Sequence, residues 1–131
     1  MYNLINELEN KVISITGASG YIGSALINQL ERYSVNKIIR ISRTKLIPKD
    51  NIEDWVLDLK KKSSWIKIVS QSDIIIHLSG NTSLSVAENN PENSLISEVL
   101  PIINLINASK ELSYKPRVIF ASTATIYGLT T

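Results

Sequence analysis

Apolar residues along this 131-residue chain fall into short continuous runs that alternate with stretches of helical spacing. Lys11-Val-Ile-Ser-Ile-Thr16 is a β-branched run, and its continuity suits a strand covered on both faces. From Tyr21 the residues Ile22, Ala25, Leu26, Ile27 and Leu30 recur at helical spacing to about Tyr33. Val35-Asn36 then reads as the turn into a second strand, Lys37 to Ser42. Pro48 to Asn51 mark a loop, Ile52 to Leu57 suits a short strand, and Trp65, Ile66 and Val69 predict a helix over Ser63 to Ser70. Asp73 to Leu78 is a buried run and the clearest strand, ending in Ser79-Gly80-Asn81 and followed by a loop. Pro91 to Leu112 has helical spacing, with Pro101 expected to kink the helix, and Pro116 precedes a fifth strand, Arg117 to Ser122. Strands and helices in this alternation predict right-handed crossovers and a parallel sheet in a doubly wound α/β domain; of the orders that class allows, 3-2-1-4-5 is the one expected.

Size and composition restrict what such a sheet can belong to. A chain of 131 residues forms one domain, residues 1–131, and is too short for a cofactor domain joined to a sizeable substrate domain. At 44% hydrophobic and 20% charged residues it has the apolar content of a packed core. A formal net charge of +2 is a weak attraction for nucleic acid, and one phenylalanine with five dispersed tyrosines supplies no stacking platform, so a nucleic-acid partner is not expected. Lys60-Lys61-Lys62, beside Trp65, reads as a solvated helix start. The absence of cysteine excludes disulfides, thiolate zinc and a cysteine nucleophile, and suits a reducing, cytoplasmic setting. The opening residues carry Glu7 and Glu9 and no segment reaches ~18 continuous apolar residues, so neither signal peptide nor membrane anchor is expected. His77, the only histidine, has no companion for a metal and reads as a packed ring at the end of a buried strand.

The chemistry-bearing segment is Thr16-Gly17-Ala18-Ser19-Gly20-Tyr21-Ile22-Gly23, three glycines at three-residue intervals where the first strand meets the first helix. Gly17 allows a tight turn, Gly20 lets backbone N–H groups approach a pyrophosphate, and Gly23 permits close helix packing. The helix N-terminus adds unpaired donors and partial positive charge. A glycine-rich turn without a ligand is the plainer alternative.

These residues resemble the glycine motif of the extended short-chain dehydrogenase/reductase family, the NAD(P)-dependent sugar-nucleotide epimerases and dehydratases, whose fold is Rossmann-like. Asp58-Leu59 resembles the family's adenine contact, and Ile76-His77-Leu78-Ser79-Gly80 the segment that lines the cofactor. Phe120 to Gly128 is similar to its serine-rich stretch ending in Val-Tyr-Gly. By this resemblance Thr123 takes the place of the Ser or Thr that hydrogen-bonds the substrate oxygen during hydride transfer. Glu98 stands roughly where the family often has an asparagine. The cofactor contacts so implied are Gly17, Ser19, Gly20, Tyr21, Ile22, Gly23, Asp58, Leu59, Leu78, Ser79 and Gly80.

Which dinucleotide is taken turns on the end of the second strand. The acid that would hold a ribose 2′-hydroxyl about 20 residues beyond the glycines is missing, and Ile41-Ser42-Arg43-Thr44 stands there instead. Ser42 can hydrogen-bond a 2′-phosphate and Arg43 can pair with it, which favours NADP over NAD. Alternatively, Arg40 and Arg43 flank an outer strand in solvent. The family's general base, in a Tyr-x-x-x-Lys motif, is expected after the serine-rich stretch, and the formal match Tyr33 to Lys37 lies at the wrong edge of the sheet. Two readings result: the cofactor-binding portion of such an enzyme, truncated after the fifth strand, inactive alone and meeting a nucleotide sugar only at full length, or a naturally short, non-catalytic dinucleotide-binding sensor or scaffold. Self-association is expected through an uncovered fifth strand or the Pro91 to Leu112 helix.

Overall fold

The computed structural model of the chain describes residues 7–80 and 84–122. Five strands, β1 (Val12–Thr16), β2 (Lys37–Ser42), β3 (Ile52–Val56), β4 (Ile74–His77) and β5 (Arg117–Phe120), form one sheet in the order β3-β2-β1-β4-β5. Every neighbouring pair is parallel. The helices are α1 (Tyr21–Leu30), α2 (Lys62–Gln71), α3 (Leu84–Asn89) and α4 (Pro91–Glu111).

The continuous apolar runs feed two cores because successive side chains of a strand face opposite sides. Ile13, Ile15, Ile38, Ile74 and Ile76 meet Ile27 and Leu30 of α1 on one face. Ile39, Ile41, Trp55 and Ile75 meet Trp65, Ile68 and Val69 of α2 and Leu105 and Ala108 of α4 on the other. Trp65 is fully buried and donates its indole N–H to the Leu59 carbonyl at 2.8 Å, so α2 is tied to the loop after β3.

Two sequence expectations change. The segment after β4 holds the short helix α3 where a loop was expected; Asn90 then restarts the chain by capping α4, its side chain accepting from the Asn93 amide at 3.1 Å. α4 runs as one 21-residue element, with Pro91 in its first turn and Pro101 buried inside it. Proline has no N–H, so the carbonyl of Ser97 goes without its usual helical donor. Arg40 is not solvated on an outer strand, since β2 is internal and Arg40 is only 9% exposed. Its guanidinium grips both carboxylate oxygens of Asp54 at 2.6 and 2.7 Å and the Ile47 carbonyl at 2.7 Å, pinning the loop between β2 and β3.

β5 is exposed along its whole length, with Val118, Ile119 and Phe120 open on both faces. A second apolar stripe, Leu95, Val99, Ile103 and Ile106, lies exposed along α4. Among the described residues no helix is long and apolar enough to cross a membrane.

Candidate functional site

The carboxyl ends of β1 to β4 converge on one edge of the sheet, and the local chemistry of each exit shapes it. Gly17 leaves β1 with φ +69°, and a Cβ there would stand 2.8 Å from the Leu78 carbonyl carbon and the Ser79 amide nitrogen. The loops after β1 and β4 therefore touch backbone to backbone, which only glycine allows. At Gly23 a Cβ would meet the Gly17 carbonyl oxygen at 2.4 Å, so α1 begins directly on its own loop. Gly20 is the N-cap of α1 and no side chain caps it, leaving the first-turn amides open to an outside acceptor.

Thr16 locks this arrangement. Its Oγ1 accepts from the amides of Leu78 at 3.2 Å and Ser79 at 3.3 Å, and its own proton is left for Nδ1 of His77 at 2.7 Å. Nδ1 is then an acceptor and the ring is neutral, in keeping with a pKa pushed below its ordinary value by burial, against a smaller opposite pull from the Glu98 carboxylate. The ring is 3% exposed, between the edge of Trp65 and the face of Phe120. Among the described residues no group of acidic, histidine or cysteine side chains could hold a metal ion.

At the exit of β2 the Ser42 hydroxyl donates to the Thr44 carbonyl, which tightens the turn and leaves Arg43 projecting from it. Arg43 is exposed and makes no hydrogen bond or ion pair among the described residues. At the exit of β3 the Asp58 carboxylate accepts from the Lys60 amide at 3.0 Å, and the Lys60 carbonyl accepts from buried Asn104 of α4 at 3.0 Å. The third wall is thus α4 itself.

These exits enclose one cavity of about 590 Å³. Gly17, Ser19 and Gly20 line it from β1, Ser42 and Arg43 from β2, Asp58 and Leu59 from β3, and Leu78, Ser79 and Gly80 from β4. Three residues expected at the cofactor do not line it: Tyr21 and Ile22 turn outward, 93% and 64% exposed, and Gly23 is buried beneath the loop. Helical geometry explains this, because first-turn residues present amides, not side chains, to the helix end. Thr123 lies outside the described residues, as does Tyr127. Tyr33 and Lys37 stand at the opposite edge, where Lys37 pairs with Glu53 at 3.1 Å. Sequence reasoning missed Ile41, Leu57, Lys60, Ser97 and Pro101 as lining residues, and noted Glu98 without placing it at the cavity. Lys60 had a signal, its position two residues after Asp58, but α4 reaches the cavity only through the crossover.

A parallel sheet ordered 3-2-1-4-5, with a cavity where the connections from β1 and β4 diverge and an uncapped helix following a glycine turn, defines a dinucleotide-binding domain of the Rossmann type. The family model of the NAD dependent epimerase/dehydratase family matches residues 13–131, and the chain belongs to that family. A nicotinamide dinucleotide is accordingly its cofactor class. The chain is 29% identical over 128 residues to UDP-glucose 4-epimerase of Mycoplasma genitalium, a match that covers 91% of this chain and 38% of that protein. Uronate dehydrogenase from Agrobacterium tumefaciens is 25% identical, with a TM-score of 0.73 over 86% of this chain and 41% of that structure. Pen from Bacillus thuringiensis, at 19% identity, shares the fold with a TM-score of 0.80 over 90% of this chain and 39% of its own. The chain thus spans about two fifths of the length of these relatives.

Proposed function

We propose that residues 1–131 form the cofactor-binding domain of an enzyme that moves hydride between a nicotinamide and a carbon of a nucleotide-linked sugar, and that they take NADP(H) in preference to NAD(H). The observation that carries this is a single cavity joining the uncapped N-terminus of α1 to an exposed Arg43 free of partners among the described residues. The pyrophosphate is received by the amides of the turn Gly17 to Gly23, with Ser19 and Gly20 facing the cavity and Tyr21 and Ile22 contributing backbone donors. The adenine lies against Asp58 and Leu59, and Leu78, Ser79 and Gly80 form the facing wall. Arg43 reads the 2′-phosphate, while Ser42 holds the turn that presents it. Arg40, committed to Asp54, takes no part. The cofactor supplies the hydride acceptor, and Thr123 hydrogen-bonds the substrate oxygen.

The sugar-nucleotide substrate is supported by the likeness to UDP-glucose 4-epimerase. Tyr33 and Lys37, the Tyr-x-x-x-Lys match of this sequence, stand at the opposite edge of the sheet from the cavity and take no part in proton transfer. The exposed stripe of α4 and the open strand β5 support self-association of the chain.

Calorimetric titration of the folded chain tests the reading. NADP is expected to bind more tightly than NAD, and Arg43→Ala to weaken NADP selectively by roughly 1 to 3 kcal/mol, the worth of a partly desolvated charge-assisted pair. No binding of either dinucleotide at millimolar concentration refutes the domain assignment, and equal losses for both refute the role of Arg43.

A further inference from the structure

We propose that Glu98 limits the affinity of this site for its dinucleotide by placing a negative charge in the wall of the phosphate-binding cavity. The inference rests on the dinucleotide reading above and adds a determinant to it. Glu98 is half-buried on α4, one turn before Pro101, and lines the same cavity as Gly17, Ser19 and Gly20. Its carboxylate rests on the backbone of Gly80: a Cβ at Gly80 would lie 2.8 Å from Glu98 Oε2. Gly80 directly follows the Leu78-Ser79 peptide that touches Gly17, so the glycine turn, the β4 exit and the Glu98 carboxylate form one continuous wall. Ser97 Oγ donates to Glu98 Oε1 at 3.2 Å.

The charges lining the cavity make this carboxylate costly for an anionic ligand. Arg43 and Lys60 are cationic, Asp58 and Glu98 anionic, so the lining is formally neutral around a diphosphate that carries two negative charges. Asp58 belongs to the β3 wall, where it accepts from the Lys60 amide, whereas Glu98 stands on the wall shared with the glycine turn. At a half-exposed site, a unit charge within about 8 Å of a diphosphate changes a dissociation constant by roughly three- to thirtyfold at low salt.

The test is titration of the full 131-residue chain and its Glu98→Gln variant with NAD, NADP and adenosine, read by calorimetry at low and at high salt. Glu98→Gln is expected to bind NAD and NADP roughly three- to thirtyfold more tightly than the wild type, with the gain shrinking at high salt and absent for adenosine, which carries no phosphate. Glu98→Asp, which keeps the charge, is expected to bind like the wild type. Equal affinity of wild type and Glu98→Gln for both dinucleotides overturns this inference alone. Weaker binding by Glu98→Gln also overturns it, since Glu98 would then be an acceptor for the ligand. An equal gain for adenosine shows a steric effect and overturns it as well. No dinucleotide binding by either protein overturns the parent reading together with this one.

Discussion

Replacing Thr16 by valine removes one hydroxyl while keeping shape and β-branching, so the effect isolates the hydrogen bonds at the junction of the β1 and β4 exits. The Leu78 amide keeps a partner, the Thr16 backbone carbonyl at 3.3 Å. The Ser79 amide and His77 Nδ1 lose the Thr16 hydroxyl, and each stranded group at a buried or half-buried site costs about 1 to 3 kcal/mol. The added methyl recovers a part of this, up to about 0.8 kcal/mol. The net expectation is a loss of roughly 1 to 5 kcal/mol, which a urea titration with a slope of about 2 kcal/mol/M reads as a midpoint lowered by about 0.5 to 2.5 M. Thr16→Ser keeps the hydroxyl and is expected to recover most of the loss. Dinucleotide affinity, measured on the folded fraction, falls as well, because the wall at Leu78 to Gly80 is no longer fixed against the glycine turn. A Thr16→Val protein within about 0.5 kcal/mol of the wild type would refute the assignment of Thr16 as the lock of this junction.

Three further outcomes follow from the same geometry. His77 has a folded-state pKa below its ordinary value of 6.5, so the unfolded chain binds the extra proton first; stability is full above about pH 6.5 and falls as pH drops below it, by at most about 1.4 kcal/mol per pH unit. Urea midpoints between pH 7.5 and pH 5 check this, and His77→Gln is expected to flatten the profile. Gly23→Ala drives a Cβ into the Gly17 carbonyl and is expected to destabilise the chain by a few kcal/mol and to impair dinucleotide binding, read by thermal melting and calorimetry; a wild-type melting curve would show that α1 can shift without cost. Light scattering at tens of micromolar is expected to give a mass above that of the monomer, because β5 and α4 leave several large apolar side chains exposed. A mass that stays monomeric on concentration would refute it.

How far these properties were legible in the sequence depends on the range of the interaction responsible. Continuous runs such as Ile74-Ile75-Ile76 announce a strand buried on both faces, since an alternating pattern would leave one side in water, and the alternation of such runs with helical spacing already implies a parallel, doubly wound sheet. The glycine turn is equally local: a tight exit from β1 at Gly17 and a helix starting four residues later at Tyr21 follow from backbone sterics within a single segment. Helix α3 was missed because six residues with little apolar periodicity carry a weak signal.

The sequence by itself determined the strands, the crossovers, the glycine turn and the residues at each strand exit, all of them set by periodicity and local stereochemistry. Only the tertiary structure decided that Arg40 is spent on Asp54 while Arg43 stays available, that Thr16 meets His77 and the β4 loop, and that Lys60 and Glu98 enter the same cavity. Those pairings join segments 14 to more than 60 residues apart, and their distances are fixed by strand register and by how α4 lies on the sheet. Neither quantity is carried by any single stretch of the chain, because register and helix docking are properties of the packed whole.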